Sequence, residues 1–275
     1  TGHLGRLAVD ALLRRGIPGR NVFALVRDPE RAKELADLGV GVREADYDRP
    51  ETLEPALEGI ERLLLVSSPA PAGEAIEQHG AVIRAADAAD VGFVVYTSIL
   101  HADDTENALA PKHADTEDIL QASGLPFAVA RNGWYVEDYT ARLDEYLAHG
   151  EIVGASGEGR ISAATRADYA EAAVSLLTGD ITDQQGYWEL GGEAFTLTQL
   201  AATITEVTGQ EVTYRDLPPA EFTEALVGAG FDRDYSRTRV PVPTSPFVRT
   251  RHWHDAPVAT VATTVGDEAD RNDTP

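Results

Sequence analysis

Short, continuous apolar runs alternate with stretches of helical periodicity over about the first 130 residues, and this alternation constrains the fold more than any other feature. Val22 to Val26, Val40 to Ala45, Arg62 to Val66, Gly92 to Tyr96 and Phe127 to Ala130 have strand length. Of these, Val22 to Val26 is a continuous apolar run, as expected for a strand buried on both faces. Between them, Arg6 to Arg15, Pro29 to Leu38, Pro50 to Leu57, Glu74 to Ala89 and Lys112 to Ser123 read as helices. Leu4, Leu7, Ala8, Ala11 and Leu12 share one face of the first helix, and Gly16, Gly39 and Gly124 stand where helices should stop. Strand and helix in strict succession predict an α/β class, a doubly wound parallel sheet with right-handed crossovers and helices on both faces.

Further on, Tyr135 to His149, Arg166 to Leu177, Leu197 to Val207 and Pro219 to Val227 read as helices, with strands at Tyr187 to Leu190 and Val212 to Tyr214 and a glycine loop at Gly154 to Gly159. After Gly230 the periodicity fails, and Pro241, Pro243, Pro246 and Pro257 interrupt any regular element. Residues 1–131 are therefore expected to form the sheet domain. Residues 132–231 form a mixed segment that returns to the sheet and builds a small C-terminal α/β lobe, and 232–275 form an irregular, loose or disordered tail.

At 275 residues the chain can bury a large core, and no apolar run approaches the roughly 20 residues that cross a bilayer. The reading is of a soluble, cytoplasmic protein without membrane insertion; a homo-oligomer is compatible with it. With no cysteine, thiolate metal sites and cysteine nucleophiles are excluded. A formal charge of −23, from 46 acidic against 23 basic residues, repels nucleic-acid phosphates, so no nucleic-acid partner is expected. The histidines suggest no metal site: His101 with Asp103 and Asp104 reads as a solvated loop cluster, and His252 and His254 lack partners at ligand spacing.

In a sheet of this type a ligand lies beyond the carboxyl ends of the strands, so strand-end residues carry the functional reading. Thr1, Gly2, His3, Leu4 and Gly5, leading into the first helix, look like the second half of a glycine turn that brings a pyrophosphate against free helix N–H groups; a simple helix cap is the other reading. Arg27, ending the next strand, suits a ribose 2′-phosphate and so favours NADP. Asp46 either accepts from an adenine amino group or caps the helix that follows. Ser67 and Ser68 either line the cofactor or make an ordinary turn. The segment Asn132, Gly133, Trp134, Tyr135, Val136 and Glu137 follows the last strand of the sheet domain. Its aromatics could stack on a flat ring, with Asn132 and the Tyr135 hydroxyl as candidate catalytic groups; a hydrophobic staple for the next helix is the alternative. Thr97 and Ser98 lie near the expected nicotinamide without a visible base. A Tyr followed four positions later by Lys is absent: Lys33 and Lys112 are the two lysines, and Pro29 and Ala108 stand four before them.

Thr1 to Gly5, Leu25-Val26-Arg27, Ala45-Asp46-Tyr47, Leu63 to Ser68, Tyr96 to Asp103, Arg131 to Tyr135, Ala164 to Tyr169 and Leu197 to Ala201 together resemble the type 2 NAD(P)H:quinone oxidoreductases. These are NmrA-like, atypical short-chain dehydrogenase/reductases, and the similarity covers about residues 1–230. The resemblance implies a Rossmann domain with a small substrate lobe, NADPH at the glycine turn, and hydride transfer to a quinone without metal or flavin. By position it implies cofactor contacts from Thr1 to Leu4, Arg27, Ser67, Ser68 and Asn132 to Glu137, with Arg166 a further candidate unless it pairs with Asp168 or Glu171. A non-catalytic NADP(H)-sensing regulator of the same branch is the alternative. The family's first strand and first glycine have no counterpart ahead of Thr1, which predicts a gap at the centre of the sheet. From Asp232 onward the chain also departs from the family's helical pattern.

Overall fold

A computed structural model describes residues 2–104, 107–228 and 261–264. The first half alternates as the apolar pattern requires: α1 (His3–Arg14), β1 (Val22–Val26), α2 (Lys33–Asp37), β2 (Gly41–Glu44), α3 (Leu53–Leu57), β3 (Arg62–Leu65), α4 (Ala72–Ala88), β4 (Phe93–Ile99), α5 (Ala110–Ser123) and β5 (Phe127–Asn132). Short 3-10 turns at Pro29–Ala32 and Pro50–Thr52 open α2 and α3, each with proline in the first turn, where its missing N–H costs nothing.

The second half is less regular. It comprises β6 (Trp134–Tyr135), α6 (Glu137–Thr140), α7 (Leu143–His149), β7 (Glu151–Gly154), β8 (Ile161–Ala164), α8 (Arg166–Thr178), α9 (Ile181–Gln184), β9 (Gly186–Leu190), β10 (Ala194–Phe195), α10 (Leu197–Thr208), β11 (Thr213–Asp216) and α11 (Pro219–Gly228). The single helix expected from Tyr135 to His149 is instead two short helices, α6 and α7, with Tyr135 in strand β6. Trp134 and Tyr135 pair in parallel with Ala163 and Ala164, and the Val136 N–H donates to Ala164 O, so these backbone groups are taken before a helix can use them.

The central sheet has the order β2-β1-β12-β3-β4-β5-β9, and every pairing in it is parallel. Its β12 is Val261–Thr264, four residues from the stretch expected to be irregular. The gap expected between β1 and β3 is thus filled: Ala262 pairs with Phe23 on one side and Leu63 on the other, and Thr263 with Ala24 and Leu64. Ala262 and Thr263 are fully buried there. The rest of that stretch, 232–260 and 265–275, lies outside the described residues.

Two apolar layers sandwich the sheet. On one face α1 and α8 bring Ala8, Val9, Leu12, Ala173, Val174 and Leu177 against Ala24, Leu64 and Val95. On the other, α3, α4 and α5 bring Leu53, Val82, Ile83 and Leu120 against Leu63, Leu65 and Val94. A smaller core gathers Tyr146, Ile152, Ile161, Leu197 and Ile204 around the two short sheets, β10-β8-β6 and β11-β7. Among the described residues no helix is long and apolar enough to cross a membrane.

Candidate active site

Strand order reverses across β12: β1 leads outward to β2, while β3 begins the opposite wing. In an open parallel sheet the crevice beyond the carboxyl ends at such a reversal is where a ligand binds. α1 runs back antiparallel to β1, so its N-terminus stands at that edge. Gly2, buried and extended (φ −67°, ψ 159°), precedes the helix; no side chain caps it and no acidic residue occupies the first turn. The first intrahelical bond runs from the Arg6 N–H to Gly2 O. The amides of His3, Leu4 and Gly5 therefore precede any intrahelical acceptor, and with the helix dipole they favour an anion. Leu4 belongs to the same buried cluster as Val26, at the end of β1, and Val66, just past the end of β3. Thr1 lies outside the described residues; His3 is exposed.

Arg27 follows β1 directly and is exposed at the same edge. Asp46 is occupied locally, accepting from the Asp48 N–H at 3.1 Å and pairing with Arg49 at 3.1 Å, so it closes a turn ahead of α3 and does not cap that helix. The Ser67 N–H donates to Thr97 Oγ1 at 2.9 Å, joining the ends of β3 and β4. Ser68 is built into a turn: its Oγ accepts from the Ala70 N–H and its own N–H donates to His79 Nε2 at 2.8 Å.

The segment after β5 divides between structural and available groups. Gly133 is required by packing, since a Cβ would overlap the Ser162 carbonyl oxygen and approach the Tyr169 hydroxyl to 2.8 Å. Both Glu137 carboxylate oxygens accept from the Arg166 N–H (2.9 and 3.1 Å), so Glu137 caps α8. Arg166 pairs with Asp138 at 2.9 Å and lies 4.4 Å over the Tyr135 ring, while Asp168 closes the α8 capping box with Thr165 and Glu171 binds Arg14 and Arg15. Trp134 and Val136 pack against the smaller core. Tyr135 is half-buried and edge-on to Tyr169 at 5.6 Å. Asn132 is different: it is 5% exposed, yet neither its amide oxygen nor its amide nitrogen has a partner. A buried carboxamide with both ends unsatisfied is costly unless something else completes it. The donor set at this edge, helix amides, a guanidinium and an unpaired amide, fits a dinucleotide.

Sequence reasoning missed the polar layer beneath this edge. α5 turns Lys112, His113, Thr116 and Glu117 inward together with Leu120, a helical stripe whose members are mostly polar. The spacing was legible; an apolar-face search passes over it. His79 Nδ1 contacts Thr116 Oγ1 at 2.9 Å, the Thr116 hydroxyl donates to Lys112 O, and the Tyr96 hydroxyl meets His113 Nδ1 at 2.9 Å. Burial, with the Lys112 charge second, pushes the His79 pKa down to about 3 and holds His113 well below the usual imidazole range. Ser98, expected to lack a base, donates to Glu117 at 2.5 Å. Arg131 grips Glu117 through two nitrogens and also reaches Asp103 (2.8 Å) and Glu189 (3.0 Å). Burial opposes the Arg131 charge, but those three carboxylates outweigh it and raise its pKa. Asp103 is therefore a structural partner, and among the described residues no cluster of His, Asp and Glu could hold a metal ion.

Known proteins resemble this chain over most of its length. The family model described as NAD(P)H-binding matches residues 1–180. Quinone oxidoreductase 2 of Escherichia coli is 44% identical over 230 residues, covering 84% of this chain and 80% of the relative. An NmrA-like family domain-containing oxidoreductase of Aspergillus flavus is 31% identical over 82% of this chain and 75% of its own length. Among solved structures, the Escherichia coli NADPH-dependent quinone oxidoreductase complexed with NADPH superposes with a TM-score of 0.82 at 42% identity, covering 87% of this chain and 84% of that one. The chain belongs to the NAD(P)H-binding, NmrA-like family of Rossmann-fold oxidoreductases.

Proposed function

We propose that this protein is an NADPH-dependent reductase that passes hydride directly to a small-molecule quinone in the cytoplasm. The observation that carries the reading is Asn132, whose buried, wholly unpaired carboxamide sits at the carboxyl edge shared with the uncapped start of α1. The α1 amides of residues 3–5 hold the pyrophosphate, and Arg27 takes the 2′-phosphate that distinguishes NADPH from NADH. When bound, the cofactor supplies a hydride from its nicotinamide ring. Asn132 orients the nicotinamide end, and the Tyr135 ring, fixed between Arg166 and Tyr169, forms one wall against which a flat acceptor can lie. Gly133, Trp134, Val136 and Glu137 hold that wall in place, and Ser67 and Ser68 shape the floor between β3 and β4.

The decisive experiment mixes the protein with NADPH and a soluble benzoquinone and follows NADPH absorbance. Consumption well above the uncatalysed rate is expected. Tight NADPH binding without consumption would instead favour the non-catalytic sensor, a reading that neither reductase relative supports.

A further inference from the structure

Among the described residues, nothing neutralises the charge that α5 buries at Lys112. Lys112, in the first turn of α5, is 8% exposed, and its ammonium donates to the Ser68 carbonyl oxygen at 3.2 Å. Burial lowers its pKa, and among the described residues no carboxylate opposes that shift. The titratable groups around it are His79 of α4 and His113 of its own helix, both kept neutral partly by the Lys112 charge. In a chain of net charge −23 the absence of a neighbouring carboxylate is not for want of carboxylates. A lysine ammonium carries three donors, and Ser68 accounts for one. Leaving a buried cation unneutralised is costly unless a ligand completes it.

The position says which ligand. Ser68 follows β3, the strand that flanks the reversal point, and the first turn of α5 lies past the carboxyl end of β4. The ammonium thus sits at the same edge as the start of α1 and Asn132, on the wing where the reacting end of a dinucleotide lies if its pyrophosphate is at α1.

Building on the quinone-reductase reading, we propose that Lys112 is a catalytic residue that hydrogen-bonds the acceptor oxygen on which negative charge develops and gives it a proton. In the balanced step the nicotinamide C–H bond breaks and its hydride, one proton with two electrons, reduces the quinone to a hydroquinone monoanion. A Lys112 N–H bond then breaks as the hydroquinone O–H bond forms, and the neutral amine recovers its proton from water. Burial makes the ammonium a stronger acid than an exposed lysine, which suits proton donation near neutral pH.

The test uses the 275-residue chain, Lys112→Met and Lys112→Arg, with 4-nitrophenol as an unreactive phenol bound to the NADP⁺ complex. Wild type is expected to bind the coloured phenolate in preference to the phenol, as Lys112→Arg should, whereas Lys112→Met should lose that preference. With benzoquinone, kcat should fall on the order of 10²-fold in Lys112→Met. It should stay low in Lys112→Arg, because a guanidinium does not release its proton. NADPH affinity should stay within about threefold in all three. Lys112→Met should melt no lower than wild type, since it removes an unneutralised buried charge. Unchanged phenolate binding and kcat in Lys112→Met, or a lower melting temperature with both losses, would overturn the proposal and mark Lys112 as structural. If wild type reduces no benzoquinone, the quinone reading fails, along with the proton step; phenolate binding that Lys112→Met abolishes would then leave the oxyanion contact standing.

Discussion

Thr263→Val should stabilise the protein, and the sign of the effect reports where β12 sits. Thr263 is fully buried, pairs with Ala24 and Leu64, and its hydroxyl has no hydrogen-bond partner. Valine keeps the β-branched shape and replaces the hydroxyl with a methyl group. A buried, unsatisfied hydroxyl costs about 1–3 kcal/mol, so removing it should return most of that amount. For a domain of this size 1 kcal/mol moves the melting temperature by about 2–4 °C, which puts the increase at roughly 2–12 °C. The assay is equilibrium urea unfolding, followed by tryptophan fluorescence at an unchanged m-value, with calorimetry for the melting temperature. A surface position would respond by less than about 0.5 kcal/mol. No change, or a loss, would refute the burial of Thr263 between β1 and β3.

Three further outcomes follow from the geometry. Arg131→Met strands Glu117, which is 3% exposed, and should cost about 3–5 kcal/mol in urea unfolding, whereas Arg131→Met with Glu117→Leu should recover most of it; a single mutant within 1 kcal/mol of wild type would contradict the buried pair. Arg27→Asp should weaken NADPH by about 10- to 100-fold while leaving NADH nearly unchanged, as read by equilibrium titration; an unaltered preference removes Arg27 from its assigned role. The folded-state pKa of His79, about 3, lies below its unfolded value near 6.5, so the folded protein binds fewer protons between those values. Stability should therefore be full above about pH 6.5 and fall by up to about 1.4 kcal/mol per unit as the pH drops toward 3, with His113 acting in the same direction. A His79→Gln variant should show a shallower slope between pH 6.5 and 5, and an equal slope would contradict the buried neutral ring.

Most of the sheet was legible in the sequence because strands such as Leu63–Leu65 and Phe93–Tyr96 are buried on both faces and so announce themselves as unbroken apolar runs. The strand ends were legible for the same reason: once a run stops, the next residue is at the ligand edge, which is how Arg27, Ser67 and Asn132 came to be grouped. β12 was not legible. Four residues without alternation, amid prolines, carry no period, and the place that receives them is defined by β1 and β3 more than 190 residues earlier. The break of the helix expected after Tyr135 was hidden too, because it depends on pairing with Ala163 and Ala164. Glu137 entered with the segment after β5, and its bond to the first amide of a helix 29 residues away is a tertiary fact that the sequence does not display. The sequence shows Lys112 only as a lysine with no tyrosine four positions before it, since its burial and its carbonyl partner are tertiary facts.

Reduction of benzoquinone by NADPH carrying deuterium at one or the other face of nicotinamide C4 tests the central claim most directly. A nicotinamide fixed at the carboxyl edge, with hydride passed directly to a quinone, predicts a slower reaction with one deuterated diastereomer and an unchanged rate with the other. Equal rates with both, at saturating quinone and with the hydride step rate-limiting, would contradict direct transfer from a fixed face.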